Sequence, residues 1–159
     1  MGLIPEESLH RVFAQVMRLQ FVRSQPLLDK IGLYPGQPPL LFSLYKKNGQ
    51  SQRELAENLG IKAATITVMI KRMEKTKMIK REQDVNDQRV SRIFITDAGI
   101  EVCKQLAIIH EEIEKECFAG FTVEEKILLR RLMIQVRDNL KKVCDKDIEI
   151  GCCGHSKKS

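Results

Sequence analysis

The chain of 159 residues has no tryptophan, two tyrosines and six phenylalanines. With so few aromatics and many Leu, Ile, Lys and Glu, the composition points to a helical protein. No stretch approaches the roughly 18 consecutive apolar residues of a membrane helix, so no membrane partner is expected. Met1 to Glu7 meets acidic residues and Pro5 before an apolar run can form, so no secretory signal is expected and the cytoplasm is the expected compartment. The cysteines number five, an odd count that argues against a disulfide framework. There is no Gly-rich phosphate loop, nucleophile elbow or paired metal motif, and His10, His110 and His155 are scattered. Neither an enzyme nor a cofactor is expected.

What is present is a chain 43% hydrophobic and 30% charged, the composition of one globular domain spanning 1–159. Its net charge of +6 is concentrated: Lys46 to Arg92 holds twelve cations against six anions, and the rest of the chain balances. A polyanion partner for the middle third follows, because phosphate contacts release counterions and supply most nonspecific affinity.

Apolar residues recur at helical spacing from Glu6 to about Ile31, with Pro26 interrupting or kinking that helix near its end. After the loop chemistry of Pro35 to Pro39, a short helix is expected over Leu40 to Lys47. Ser51 and Glu54 form an S-x-x-E capping box that opens a helix over Gln52 to Leu59, stopped by Gly60. The next helix, Lys62 to Lys77, buries Ile66, Met69, Ile70 and Met73. Its other face carries Ala63, Ala64, Thr67, Val68, Lys71 and Lys75. Two strands, Ile79 to Gln83 and Ser91 to Ile95, precede a long helix capped by Thr96-Asp97. Thr122 and Glu125 cap a final helix to about Cys144.

Two helices joined by a short Gly turn can set one in the DNA major groove, and a basic hairpin beyond it can reach the neighbouring groove. Ser51, Gln52, Ala63, Ala64, Thr65, Thr67, Val68, Lys71, Arg72, Lys75 and Arg89 are the candidate DNA-binding residues. Small alanines allow close approach, threonines offer hydroxyls and methyls, and the cations supply phosphate charge. The first turns of the second helix lack Arg, Asn and Gln, so the usual bidentate base readers are missing. Methyl contacts, phosphate register and minor-groove shape are left to carry specificity.

Asp84-Val-Asn-Asp87-Gln-Arg89, followed by Ile93-Phe-Ile-Thr96-Asp-Ala-Gly99, resembles the D-x-x-D-x-R…L-T-x-x-G signature of the multiple-antibiotic-resistance regulator (MarR) family. Ser51-Gln-Arg-Glu-Leu-Ala56 and Ile66 to Met73 fit the same family's helix-turn-helix. The resemblance implies a mainly α fold with a small two-stranded β-wing, in which residues 36–98 form a winged helix-turn-helix lobe. Residues 6–32 and 99–146 would supply dimerisation helices, and 147–159 a tail. It also implies that Asp84 and Asp87 shape the wing, Asp87 pairing with Arg89 or nearby backbone, and that Arg89 enters the minor groove.

The terminal helices carry apolar stripes: Ile100, Cys103, Leu106, Ala107, His110, Ile113 and Cys117 on one, and Ile127, Leu132, Met133, Val136, Leu140 and Val143 on the other. That is more apolar surface than one subunit can cover. The family implies a homodimer on a pseudopalindromic double-stranded operator, its recognition helices ~34 Å apart. It also implies a small-molecule effector between the dimerisation helices and the wing lobe, where helix order offers His10, Phe13, Tyr34 and Phe42. The expected function is an effector-responsive repressor. The alternative is a metal-handling or thiol-redox protein acting through Cys152, Cys153 and His155, whose two thiols and imidazole could chelate a soft metal. A third reading, a winged helix used for protein contacts, predicts little salt dependence. Cys103, His110 and Cys117 recur every seven residues, but neighbours ~10 Å apart along a helix cannot share one metal ion.

Overall fold

The structure, a computed structural model, describes residue 5 and residues 8–144. Cys152, Cys153 and His155 lie outside the described residues. The elements run α1 (Leu9–Lys30), α2 (Gln37–Lys46), β1 (Gln50–Ser51), α3 (Gln52–Leu59), α4 (Ala63–Lys75), β2 (Ile79–Gln83), β3 (Ser91–Ile95), α5 (Asp97–Cys117) and α6 (Val123–Val143).

Local chemistry sets most boundaries. Ser8 caps α1, its hydroxyl accepting from the Arg11 N–H at 3.4 Å. The helix continues four residues past Pro26. Leu27 and Leu28 beyond it are buried, Leu27 against Ile109 and Ile113 of α5, so packing outweighs the interior proline's penalty of about 3 kcal/mol. α2 begins earlier than the sequence suggests, with Pro38 and Pro39 in its first turn, where no N–H is needed. Both capping boxes form as expected, at Ser51/Glu54 and at Thr122/Glu125. Gly60 (φ 63°) closes α3 by donating to the carbonyls of Ala56 and Glu57.

The sheet has three antiparallel strands in the order β1-β3-β2, one more than the expected two-stranded wing. β2 and β3 pair from Ile79↔Ile95 to Gln83↔Ser91, and β1 adds Gln50↔Ile93 and Ser51↔Arg92. A two-residue strand is too short to show alternation in sequence. It is fixed by the buried Gln50 side chain, whose amide donates to the Ser43 and Lys47 carbonyls and accepts from Asn58.

The core sits under the helix-turn-helix, built from Leu40, Leu41, Leu44, Leu55, Ile66, Ile70, Met73, Ile93 and Leu106. On α5 the buried stripe is Gly99, Cys103, Leu106, Ile109 and Ile113. Ala107, His110 and Cys117, expected on that stripe, are exposed. At 100° per residue Ala107 lies about 100° from the middle of that stripe, and Cys117 ends the helix beyond Ile113, the last residue α5 buries. His110, though exposed overall, meets Phe42 (5.9 Å between ring centroids), and this partial burial lowers its pKa. Helix α6 buries none of its residues.

Candidate nucleic-acid interface

The recognition element is assembled from α3 and α4. Ile66, Ile70 and Met73 anchor α4 to the core. At about 100° per residue the opposite face then consists of Ala64, Thr65, Val68, Lys71, Arg72 and Lys75, all exposed. Ala63 is exposed at the helix entry, and a groove of about 800 Å³ beside it is lined by Gln52, Arg53, Ala56, Glu57, Gly60 and Ile61.

Three of the expected contact residues have internal work. Ser51 accepts from the Glu54 N–H through its hydroxyl, and its own N–H donates to the Glu54 carboxylate at 2.7 Å. Gln52 donates its amide to the Thr67 hydroxyl. That hydroxyl donates to the Ala63 carbonyl at 2.8 Å. Thr67 therefore has no hydroxyl hydrogen left for a base edge; it locks α3 to α4 and offers its methyl group.

The hairpin tip is shaped by carboxylates acting on backbone. Asp84 accepts from the N–H groups of Asn86 (2.8 Å) and Asp87 (3.1 Å), and Asp87 accepts from the Arg89 N–H (3.0 Å). Asp87 thus holds the backbone of Arg89, not its side chain. The Arg89 guanidinium is exposed at the tip, and no side chain holds it among the described residues.

Arg92, which sequence reasoning counted only as charge, ties this hairpin to the helix-turn-helix. Its guanidinium donates to Asp84 Oδ2 at 2.6 Å, to Glu54 Oε2 at 3.1 Å and to the Gly49 carbonyl at 3.4 Å. The Arg92 guanidinium and the two turn N–H groups hold the Asp84 carboxyl below its ordinary pKa. The Ser51 N–H and hydroxyl, with Lys47 and Arg92 nearby, do the same for Glu54. The sequence signal for Arg92 was hidden because β1, which sets Arg92 beside Ser51, is too short to predict.

The sequence pattern of the MarR family matches residues 33–91, the stretch that contains α2, the helix-turn-helix and the hairpin tip. The chain is similar over 145 residues to the uncharacterised HTH-type transcriptional regulator YwaE of Bacillus subtilis, with 28% identity covering 86% of this chain and 85% of that protein. Residues 33–91 of the chain form a MarR-family region, and the chain is a DNA-binding transcription regulator, not an enzyme. Its fold matches the crystal structure of MarR with a TM-score of 0.74 at 23% identity, covering 89% of this chain and 97% of that one. The F27L mutant of MepR from S. aureus, solved bound to an oligodeoxyribonucleotide, matches with a TM-score of 0.60 at 21% identity over 84% and 98% of the two chains.

The last part of the MarR signature has a mechanical explanation. Thr96 donates its N–H to the Met78 carbonyl (3.1 Å) and its hydroxyl to the Lys77 carbonyl (2.6 Å), with the Met78 oxygen 3.0 Å away, and the hydroxyl oxygen caps Gly99 by accepting from its N–H. Gly99 packs directly on the Met78 carbonyl: a Cβ there would lie 2.2 Å from the Met78 oxygen. Thr96 and Gly99 thus form the joint at which the helix-turn-helix and its hairpin meet α5.

The four candidate effector residues are not brought together within one subunit. Phe42 packs on His110, and Tyr34 is 57% exposed with the Arg72 guanidinium 5.4 Å from its ring centroid. Helix α1 packs its C-terminal end on α5, through Leu27 and through Arg23 bonded to Glu112 and Glu116. Helical rise carries Phe13 about 21 Å from Leu27, and His10 further still. Among the described residues, no cluster of His, Cys, Asp or Glu could hold a metal ion, and no helix is long and apolar enough to cross a membrane.

Proposed function

We propose that the chain is a cytoplasmic, effector-responsive repressor that binds a pseudopalindromic double-stranded operator as a homodimer. The observation that carries this reading is the apolar surface left uncovered beside the DNA lobe. On α6, Val123, Ile127, Leu128, Leu132, Met133, Val136, Leu140 and Val143 are between 41% and 77% exposed, and α1 exposes Leu9, Val12, Val16, Met17, Leu19 and Val22. Monomeric proteins rarely leave so large a contiguous patch open. A two-fold copy covers it and pairs two cationic lobes, matching the two-fold symmetry of an operator. The DNA complex solved for MepR supports the same use of this fold.

In this reading 36–98 is the DNA lobe, 6–32 and 99–146 are the dimerisation helices, and 147–159 is a tail. Ala63, Ala64, Thr65, the Thr67 methyl and Val68 approach base edges, Lys71, Arg72 and Lys75 take phosphates, and Arg89 takes the minor groove. Gln52 and Ser51 position the helices. An effector acts by preferring a dimer whose recognition helices are mis-spaced for one DNA turn. Since one subunit does not gather His10, Phe13, Tyr34 and Phe42, a pocket using the first two would need the partner's helices.

The test is a titration of a duplex, recovered by selection from genomic fragments, across a range of salt, with light scattering of the free protein. Twice the chain mass of 18.3 kDa and a steep linear fall of log affinity with log salt are expected. A monomer, or affinity indifferent to salt, would overturn the reading.

A further inference from the structure

Tyr34 combines a fixed backbone with an exposed ring. Its N–H donates to Gln37 Oε1 at 2.8 Å, and its carbonyl accepts from the Gln37 N–H at 3.1 Å. The turn is seated on both sides, by Leu33 (1% exposed) and Gln37 (3% exposed). A tyrosine held so firmly yet 57% exposed is placed for something outside the core. What it meets is the guanidinium of Arg72, in the last turn of α4, 5.4 Å from the ring centroid.

The Arg72 guanidinium has no hydrogen-bond or ion-pair partner among the described residues. Stacking occupies a face of that planar cation and leaves its N–H donors, which lie in the plane, available for a two-pronged contact with phosphate oxygens. A long flexible side chain otherwise loses rotamer freedom when it binds; a ring that already restricts it removes part of that loss. Lys71 and Lys75, on the same outward face, have no ring contact among the described residues.

We propose that Tyr34 is a positioning residue for DNA binding, which pre-orients Arg72 for a phosphate at the end of the recognition helix. This rests on the proposed use of the outward face of α4 for DNA. It also means that the α1–α2 turn enters DNA affinity directly, so that a shift of α1 is felt at Arg72.

The experiment compares Tyr34→Ala, Tyr34→Phe, Arg72→Ala and the Tyr34→Ala/Arg72→Ala double variant of the full chain. Affinity is measured on a mixed-sequence duplex at low salt, since a phosphate contact needs no particular sequence. Tyr34→Ala should weaken binding about two- to fivefold, the range of an exposed cation–π contact, with unchanged thermal stability. Tyr34→Phe should restore binding, and Tyr34→Ala should have no further effect once Arg72 is removed. In the DNA-free protein, the Arg72 Nε–H resonance should lose its ring-current shift in Tyr34→Ala and keep it in Tyr34→Phe. Loss in Tyr34→Phe equal to that in Tyr34→Ala would assign a direct hydroxyl contact and overturn the positioning role. Independent, multiplicative effects of Tyr34→Ala and Arg72→Ala, or an unmoved Arg72 resonance, would overturn it as well. An unmodified chain that fails to bind the duplex would instead overturn the DNA reading, whatever the resonance shows.

Discussion

Gly99 allows the joint between the helix-turn-helix and α5 to be tested by one methyl group. In an ordinary helix, Gly→Ala stabilises by about 1 kcal/mol because alanine loses less backbone entropy. Here the added Cβ would sit 2.2 Å from the Met78 oxygen, 2.7 Å from Ile95 Cγ1 and 3.1 Å from the Met78 carbonyl carbon. Ordinary contact begins near 3.5 Å, so α5 must retreat by about 1 Å from a backbone that cannot swing aside as a side chain could. Such overpacking destabilises by about 1–3 kcal/mol. The retreat also stretches the Thr96 N–H bond to the same carbonyl, worth about 1 kcal/mol net. After subtracting the propensity gain, Gly99→Ala should lose about 1–3 kcal/mol. For a chain of this size that lowers the melting midpoint by about 2–12 °C, measured at one fixed protein concentration because the proposed dimerisation would shift it. Ala98→Gly, at the exposed neighbouring position, is the control and should lose at most about 1 kcal/mol. If Gly99→Ala leaves the midpoint unchanged or raises it, the close approach of α5 to Met78 is wrong.

Three further outcomes are expected. Arg89→Ala should lose about 1–3 kcal/mol of operator affinity in a mobility-shift titration at fixed salt while the fold and dimer persist; equal affinity removes the hairpin tip from the contact. Leu132→Glu, on the uncovered face of α6, should yield monomers by light scattering and abolish tight operator binding, whereas a persisting dimer would place the interface elsewhere. The third concerns pH. Asp84 and Glu54 are held below their ordinary pKa values in the folded chain, so the stability they add is present above the ordinary carboxylate range, near pH ~4, and is lost as pH falls through the lowered folded values. Acid unfolding monitored by circular dichroism should therefore begin at higher pH and depend less on pH in Asp84→Asn, and a superimposable acid transition would deny the Arg92 linkage.

Features set by neighbours within four residues were legible in the sequence. The capping boxes at Ser51 and Thr122, the stop at Gly60, the two main strands and the inward face of α4 are of this kind, because a helix or hairpin end must satisfy its own backbone groups locally. So were the cationic middle third and the signature from Asp84 to Gly99, which chemistry alone confines to a few residue types.

Long-range pairing decided the rest. The strand Gln50–Ser51 exists because Ile93 and Arg92 lie opposite it, and only then does Arg92 reach both Asp84 and Glu54. Pro26 stays within a helix because Leu27 and Leu28 find α5 and the core. Tyr34 lies on Arg72 instead of joining His10 and Phe13, because the α1–α2 turn folds toward the recognition helix while the N-terminal half of α1 extends away from α5. The sequence by itself determined where the cationic, MarR-like segment lies and what caps α3, α5 and α6. Which cation is left exposed, which is stacked and which is tied into the hairpin was decided only by tertiary structure, because those partners are up to 43 residues apart along the chain.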